Sequence, residues 1–157
     1  MTRLLMLLIL IAGMTGVVLS QPKPTRETFD PKRDAAKDIA AAIKTAQKTN
    51  KRIILDVGGE WCIWCKRLEQ FFVDNQDCAD LLKKNFVVVK VNFSKENENK
   101  EVLAKYPKIT GYPHLFVLDK DGKLLHSQDT GLLEEGDHHG RAKVMEFLKK
   151  WSPPAPK

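Results

Sequence analysis

Two stretches of the chain, Arg52-Ile53-Ile54-Leu55-Asp56-Val57 and Phe86-Val87-Val88-Val89-Lys90-Val91-Asn92, are apolar at consecutive positions rather than alternate ones. A strand of that kind has no wet face and must be covered on both sides. Helical spacing flanks and separates them. Ala35, Ile39, Ala42, Ile43 and Ala46 recur on one face before the first run, with Asp30-Pro31 or Asp34 as the start signal and Asn50 as the stop. Between the runs, one helix is expected through Lys66, Leu68 and Phe72, and a second over 78–84, with Asp74-Asn75 interrupting them. Two strands joined through helices should lie parallel.

The rest of the chain extends the same sheet. A short helix is expected over 100–106, ending ahead of Pro107. A strand follows over 114–118, then a turn at Asp121-Gly122 and an antiparallel return over 123–128. A last helix from Gly140 or Arg141 to Trp151 carries Val144, Phe147, Leu148 and Trp151 on one face. The expectation is one α/β domain in three layers, a central mixed sheet with helices on both faces. A length of 157 residues fits one domain, and three Cys are too few for a disulfide-stapled scaffold.

The first twenty residues stand apart. Arg3 is their only charge, and Leu4 to Leu19 is an apolar run ending at Ser20. This is the pattern of a secretory signal peptide. The competing reading is a membrane anchor, for which sixteen apolar residues are short against the usual span of about 20. Either way the remainder is expected outside the cytoplasm, most simply in a periplasm or else secreted, where thiols meet oxidising conditions. Residues 21–33 read as a linker and 152–157 as a disordered tail, leaving the domain over 34–151. The net charge of +6 is mild and interspersed, and even the dense run 94–101 mixes signs, so no nucleic acid is expected as a partner.

Chemistry concentrates in Trp61-Cys62-Ile63-Trp64-Cys65-Lys66. Two Cys three apart at a helix start can close into a disulfide or open to a dithiol with little rearrangement. Unpaired N–H groups and the helix dipole favour a thiolate on Cys62, the nucleophile of disulfide exchange. Cys65, one turn deeper, is placed to resolve a mixed disulfide. Two other readings compete. Zinc would need two further ligands, and Cys78 and His138-His139 lack the spacing. A purely structural disulfide around two residues would staple almost nothing.

Asp56 ends the first strand six residues before Cys62, where a carboxylate is costly unless used. Near Cys65 it would serve as proton acceptor; otherwise it is a strand-end Asp facing solvent. Tyr112-Pro113, after Gly111 and before a central strand, is a candidate cis bond whose loop could meet a substrate chain beside Cys62.

Taken together, Ile54-Leu55-Asp56, Glu60-Trp61-Cys62-x-x-Cys65-Lys66 and Gly111-Tyr112-Pro113 resemble the thioredoxin superfamily over roughly residues 34–151. The stretch between Cys65 and Phe86 and the Asp119–Lys123 hairpin look like its extracytoplasmic members, including the C-terminal domain of the membrane electron-transfer protein DsbD. The resemblance implies a thioredoxin-like fold and a thiol–disulfide oxidoreductase needing no cofactor beyond its Cys62–Cys65 disulfide and no metal. It implies Cys62 as attacking thiol, Cys65 as resolving thiol, Asp56 as the buried acid, Trp61 as the flanking Trp and Pro113 as the cis-proline. Trp61, Trp64, Tyr112 and Pro113 are the expected substrate-contact residues. The expected partners are protein thiols and disulfides, with a membrane dithiol as electron donor, and the expected state is a monomer.

The departures bear on direction. The central Ile63-Trp64 carries no charge to stabilise the thiolate, which favours a reductase or electron carrier over an oxidase. His114, after the Pro, either restores some of that stabilisation or is an ordinary strand histidine. Cys78, the odd thiol, reads as a packed apolar residue. A thioredoxin-fold binding or chaperone module with an incidental Cys pair is the alternative from another class.

Overall fold

The computed structural model describes residues 27–154. Its two unalternating runs are β1 (Arg52–Gly58) and β2 (Phe86–Asn92), paired in parallel with Ile53 opposite Val87 and Asp56 opposite Lys90. On the other side of β1 lies β3 (His114–Leu118), antiparallel, and beyond it β4 (Leu124–Asp129), giving the order β2-β1-β3-β4. This is the expected mixed sheet, with β1 as an interior strand.

Alternate residues of β1 feed two separate cores, as a strand buried on both faces requires. Ile53, Leu55 and Val57 pack with Val89, Val91, Phe116 and Leu118 beneath α1 (Ala35–Thr49). The small residues Ala35, Ala42 and Ala46 let that helix approach closely. Ile54 faces the opposite core with Leu115 and Val117, covered by α2 (Ile63–Asp74), α3 (Gln76–Asn85) and α5 (Arg141–Lys150). Cys78 is fully buried and free in this second core, where burial pushes its thiol pKa up, in keeping with a packing role.

Several boundaries move, each for a local reason. Asp34, not Asp30, caps α1, accepting the Lys37 N–H at 3.1 Å. Asp30 instead closes a preceding turn onto the Lys32 N–H. The expected helix over 100–106 is only α4 (Lys100–Leu103); the chain then runs on to Tyr106 in tighter turns, with Lys105 and Tyr106 bonding three residues back. A 3₁₀ turn, Thr130–Leu133, and a hairpin of β5 (Glu134–Glu135) and β6 (His138–His139) were not read from the sequence.

The segment read as the end of a linker is packed onto the domain. Phe29 is 2% exposed and its backbone N–H donates to Glu60 Oε1 at 2.9 Å. The fold therefore begins before residue 34. At the other end Ser152 Oγ donates to the Leu148 carbonyl, and residues 155–157 of the expected tail lie outside the described residues. The signal or anchor reading of residues 1–20 also lies outside them. Among the described residues no helix is long and apolar enough to cross a membrane.

Candidate active site

The chain leaves β1 through Gly58-Gly59 and turns at once into α2. Gly58 is required by close approach: a Cβ there would lie 2.5 Å from Cys65 Sγ and 3.1 Å from Phe29 Cζ. Cys62 is the N-cap of α2, with extended backbone, and its Sγ accepts the Cys65 N–H at 3.1 Å. Cys62 and Cys65 are joined as a disulfide and both are buried, with Trp61 and Ile63 beside them 59% and 60% exposed. The disulfide therefore occupies the positive end of the helix, where the Cys62 sulfur, once released as a thiolate, meets unpaired N–H groups.

An aromatic cluster holds the loops together. The Trp61 indole N–H donates to the Phe93 carbonyl at 2.7 Å, and its ring meets Tyr112 edge-on at 5.5 Å. Tyr112 in turn stacks on Phe93 at 5.0 Å. The Tyr112–Pro113 bond is cis, and the Pro113 carbonyl accepts from Thr130 Oγ1 at 2.5 Å. A cleft of about 620 Å³ opens beside this cluster, walled by Phe29, Pro31, Trp61 and Phe93 and edged by Glu60, Glu96 and Glu98. Trp64 faces the other way: its ring meets His139 edge-on at 5.6 Å and carries the Arg67 guanidinium 4.5 Å from its centroid. Trp64 thus packs the domain's own β5–β6 hairpin.

Asp56 is buried and points into the α2 side of the sheet, but it does not stand alone. Lys90, opposite it on β2, reaches Asp56 Oδ2 at 2.7 Å and Glu69 Oε1, from α2, at 2.8 Å. Burial alone would lower the Lys90 pKa; the two carboxylates outweigh it and hold the ammonium above its ordinary value. Asp56 Oδ1 is buried with no hydrogen-bond partner. The Lys90 ammonium also lies 4.5 Å from the centroid of the Phe29 ring, which packs against both cysteines.

His114 is buried, its Nε2 2.8 Å from Ser127 Oγ and its ring against Phe116. Burial pushes its pKa down, so it is neutral at pH 7 and supplies no cation to a thiolate. His139, 1% exposed, has no hydrogen-bond partner on either ring nitrogen, and burial holds it at about 4. Among the described residues no group of three or more His, Cys, Asp or Glu side chains is placed to hold a metal ion.

Beyond the end of β1 the fold thus holds a disulfide whose two sulfurs belong to the first turn of α2. That is a thioredoxin fold with a Cys-x-x-Cys disulfide at a helix start. The chain belongs to the thioredoxin-like family, which it matches over residues 34–120, more than half its length.

Relatives of the chain carry names from disulfide exchange. The thiol:disulfide interchange protein DsbD of Actinobacillus pleuropneumoniae serotype 5b (strain L20) is 29% identical over 92 residues, 58% of this chain and 16% of that protein. The disulfide bond reductase DsbH of Chlamydia pneumoniae is 28% identical over 95 residues, 55% of this chain and 57% of that one. The chain therefore spans about a sixth of the first relative and little more than half of the second. The crystal structure of a disulphide isomerase from Xylella fastidiosa Temecula1 superposes with a TM-score of 0.68 at 27% identity, covering 78% of this chain and 94% of that one.

Proposed function

We propose that the protein is an exported reductase, or electron carrier, for protein disulfides, working through Cys62 and Cys65. The observation that carries this is the seat of Cys62 at the N-cap of α2, its sulfur already accepting the Cys65 N–H. In the reduced protein the same N–H and the helix dipole stabilise a Cys62 thiolate. That thiolate attacks one sulfur of a substrate disulfide. The substrate S–S bond breaks, its electron pair leaves on the other sulfur, and a Cys62–substrate disulfide forms. The Cys65 thiol then loses its proton and attacks Cys62 Sγ, closing the Cys62–Cys65 disulfide and releasing the second substrate thiolate. Asp56 Oδ1, the carboxylate oxygen that Lys90 leaves unengaged, receives that proton. Two electrons pass to the substrate, and a membrane dithiol restores them.

The direction follows from charge. Ile63 and Trp64 add none, His114 is neutral, and the buried Lys90 ammonium is already paired with Asp56 and Glu69, so neither the central dipeptide nor the residue after Pro113 supplies a cation that favours the reduced form. Trp61, Tyr112 and the cleft over Phe93 supply the apolar surface for a substrate chain. Export rests on the Arg3-led apolar run to Leu19.

Two assays test the proposal. Dithiothreitol-driven insulin reduction should be lost in Cys62→Ser; an unchanged rate would overturn the activity. In glutathione buffers the pair should titrate nearer the potential of thioredoxin, about −270 mV, than that of a strong oxidant, about −120 mV. A value at the oxidising end would overturn the direction.

A further inference from the structure

Phe29 lies 33 residues before Cys62, in a polar segment ahead of the first helix, yet its ring is seated against the reactive disulfide. The seat exists because position 58 has no side chain. The point where a Gly58 Cβ would stand is 2.5 Å from Cys65 Sγ and 3.1 Å from Phe29 Cζ, so sulfur and ring tip converge over the bare backbone. The segment is tied down on both sides of the ring. Its N–H is held by Glu60 Oε1 at 2.9 Å, in the loop before Cys62, and Asn97 Nδ2 donates to the Pro31 carbonyl at 2.9 Å from the β2–α4 loop. The ring face meets the Lys90 ammonium at 4.5 Å. One ring therefore walls Cys65 and covers the cation shared by Asp56 and Glu69, while Cys62, itself buried, is flanked by the exposed Trp61 and Ile63.

We propose that Phe29 is a positioning residue that decides which sulfur of the pair can be attacked: it closes Cys65 to outside reagents and leaves Cys62 as the exchanging thiol. An enzyme that lets a substrate reach either sulfur makes two mixed disulfides, and the one on Cys65 places the resolving step on the wrong thiol. The ring prevents the second by occupying the approach to Cys65 Sγ, and its apolar face keeps water from Lys90. This rests on Cys62 and Cys65 being the reactive pair. Failure of that reading appears separately, as insulin reduction indifferent to Cys62→Ser.

The test is thiol alkylation of the reduced full-length protein carrying Cys62→Ser, so that only Cys65 and Cys78 remain. In alkylation by iodoacetamide the thiolate displaces iodide and keeps a carbamidomethyl group, and mass spectrometry reads the rate at each sulfur. Cys78, fully buried in the other core, reports opening of the fold as a whole. Replacing Phe29 by Ala should raise Cys65 labelling by about tenfold or more with Cys78 unchanged, because only the local cover is lost. Phe29→Leu, which keeps apolar bulk, should restore slow labelling. Two results overturn the proposal. One is Cys65 labelled no faster in Phe29→Ala than with Phe29 present. The other is Cys65 and Cys78 accelerated together, which would make the ring a general support of the fold.

Discussion

The ammonium of Lys90 lies 2.7 Å from Asp56 Oδ2, with both side chains 8% exposed, so the acid at the end of the central strand is half of a buried ion pair. Glu69 completes it from α2 at 2.8 Å. A buried charge is tolerated when its partner stays, and costs most when one partner is removed.

Replacing Lys90 by Met should therefore destabilise the protein by about 3–5 kcal/mol at neutral pH, since two buried carboxylates lose their shared cation. The pH dependence has a definite sign. The folded protein holds Lys90 above its unfolded pKa of about 10.4, so its contribution is complete below that pH and fades as pH rises through the folded value. Urea midpoints should show the gap between wild type and Lys90→Met constant from pH 7 to about 9 and narrowing above about 10. A gap that is small at neutral pH, or that widens in alkali, would contradict the pairing.

His139 titrates with the opposite consequence. Burial between Trp64 and Phe71 holds it at about 4, below its unfolded value, so the unfolded chain binds a proton that the folded one refuses. Stability is unaffected above about pH 6.5 and is lost as pH falls toward 4, by up to about 3 kcal/mol. His139→Phe keeps a ring against Trp64 and should remove that acid limb. Denaturant midpoints between pH 7 and 4 check this, and equal losses in both proteins would show that other groups carry the acid transition.

The sequence made the central sheet legible because consecutive apolar residues leave a strand no alternative to full burial. It made Cys62, Cys65 and Pro113 legible because each depends on a local pattern, the helix start and the X-Pro bond. What it concealed was long-range. Lys90 is the one charge inside the apolar run 86–91, and Glu69 the one acid among Leu68, Phe71 and Phe72, but no spacing rule joins them to Asp56. Phe29 stands alone in a polar stretch, and a glycine at position 58 is what makes room for it. The α4 boundary was lost because periodicity does not separate an α-helix from the 3₁₀ turns that continue it.

Gly58→Ala offers a check on that convergence. The added methyl carbon meets Cys65 Sγ at 2.5 Å, and neither the sulfur, held in the disulfide, nor the central strand moves cheaply. Overpacking of this kind typically costs about 1–3 kcal/mol. The oxidised protein should therefore melt lower than wild type. Trimming Phe29 in addition should recover only part of the loss, because it relieves the 3.1 Å contact and leaves the one to sulfur. Full recovery in Gly58→Ala/Phe29→Leu would place the strain on the ring instead.

Cys65→Ser separates attack from resolution. Cys62 keeps its place at the N-cap, so it should still form a disulfide with a substrate sulfur; the serine hydroxyl cannot displace it. The Cys62–substrate adduct should therefore accumulate, visible as a dithiothreitol-sensitive band on non-reducing gels after mixing with oxidised insulin, while net reduction falls to background. Cys62→Ser should give no such band, because Cys65 is 2% exposed behind Phe29. A band from Cys62→Ser and none from Cys65→Ser would reverse the two roles and make Cys65 the attacking sulfur.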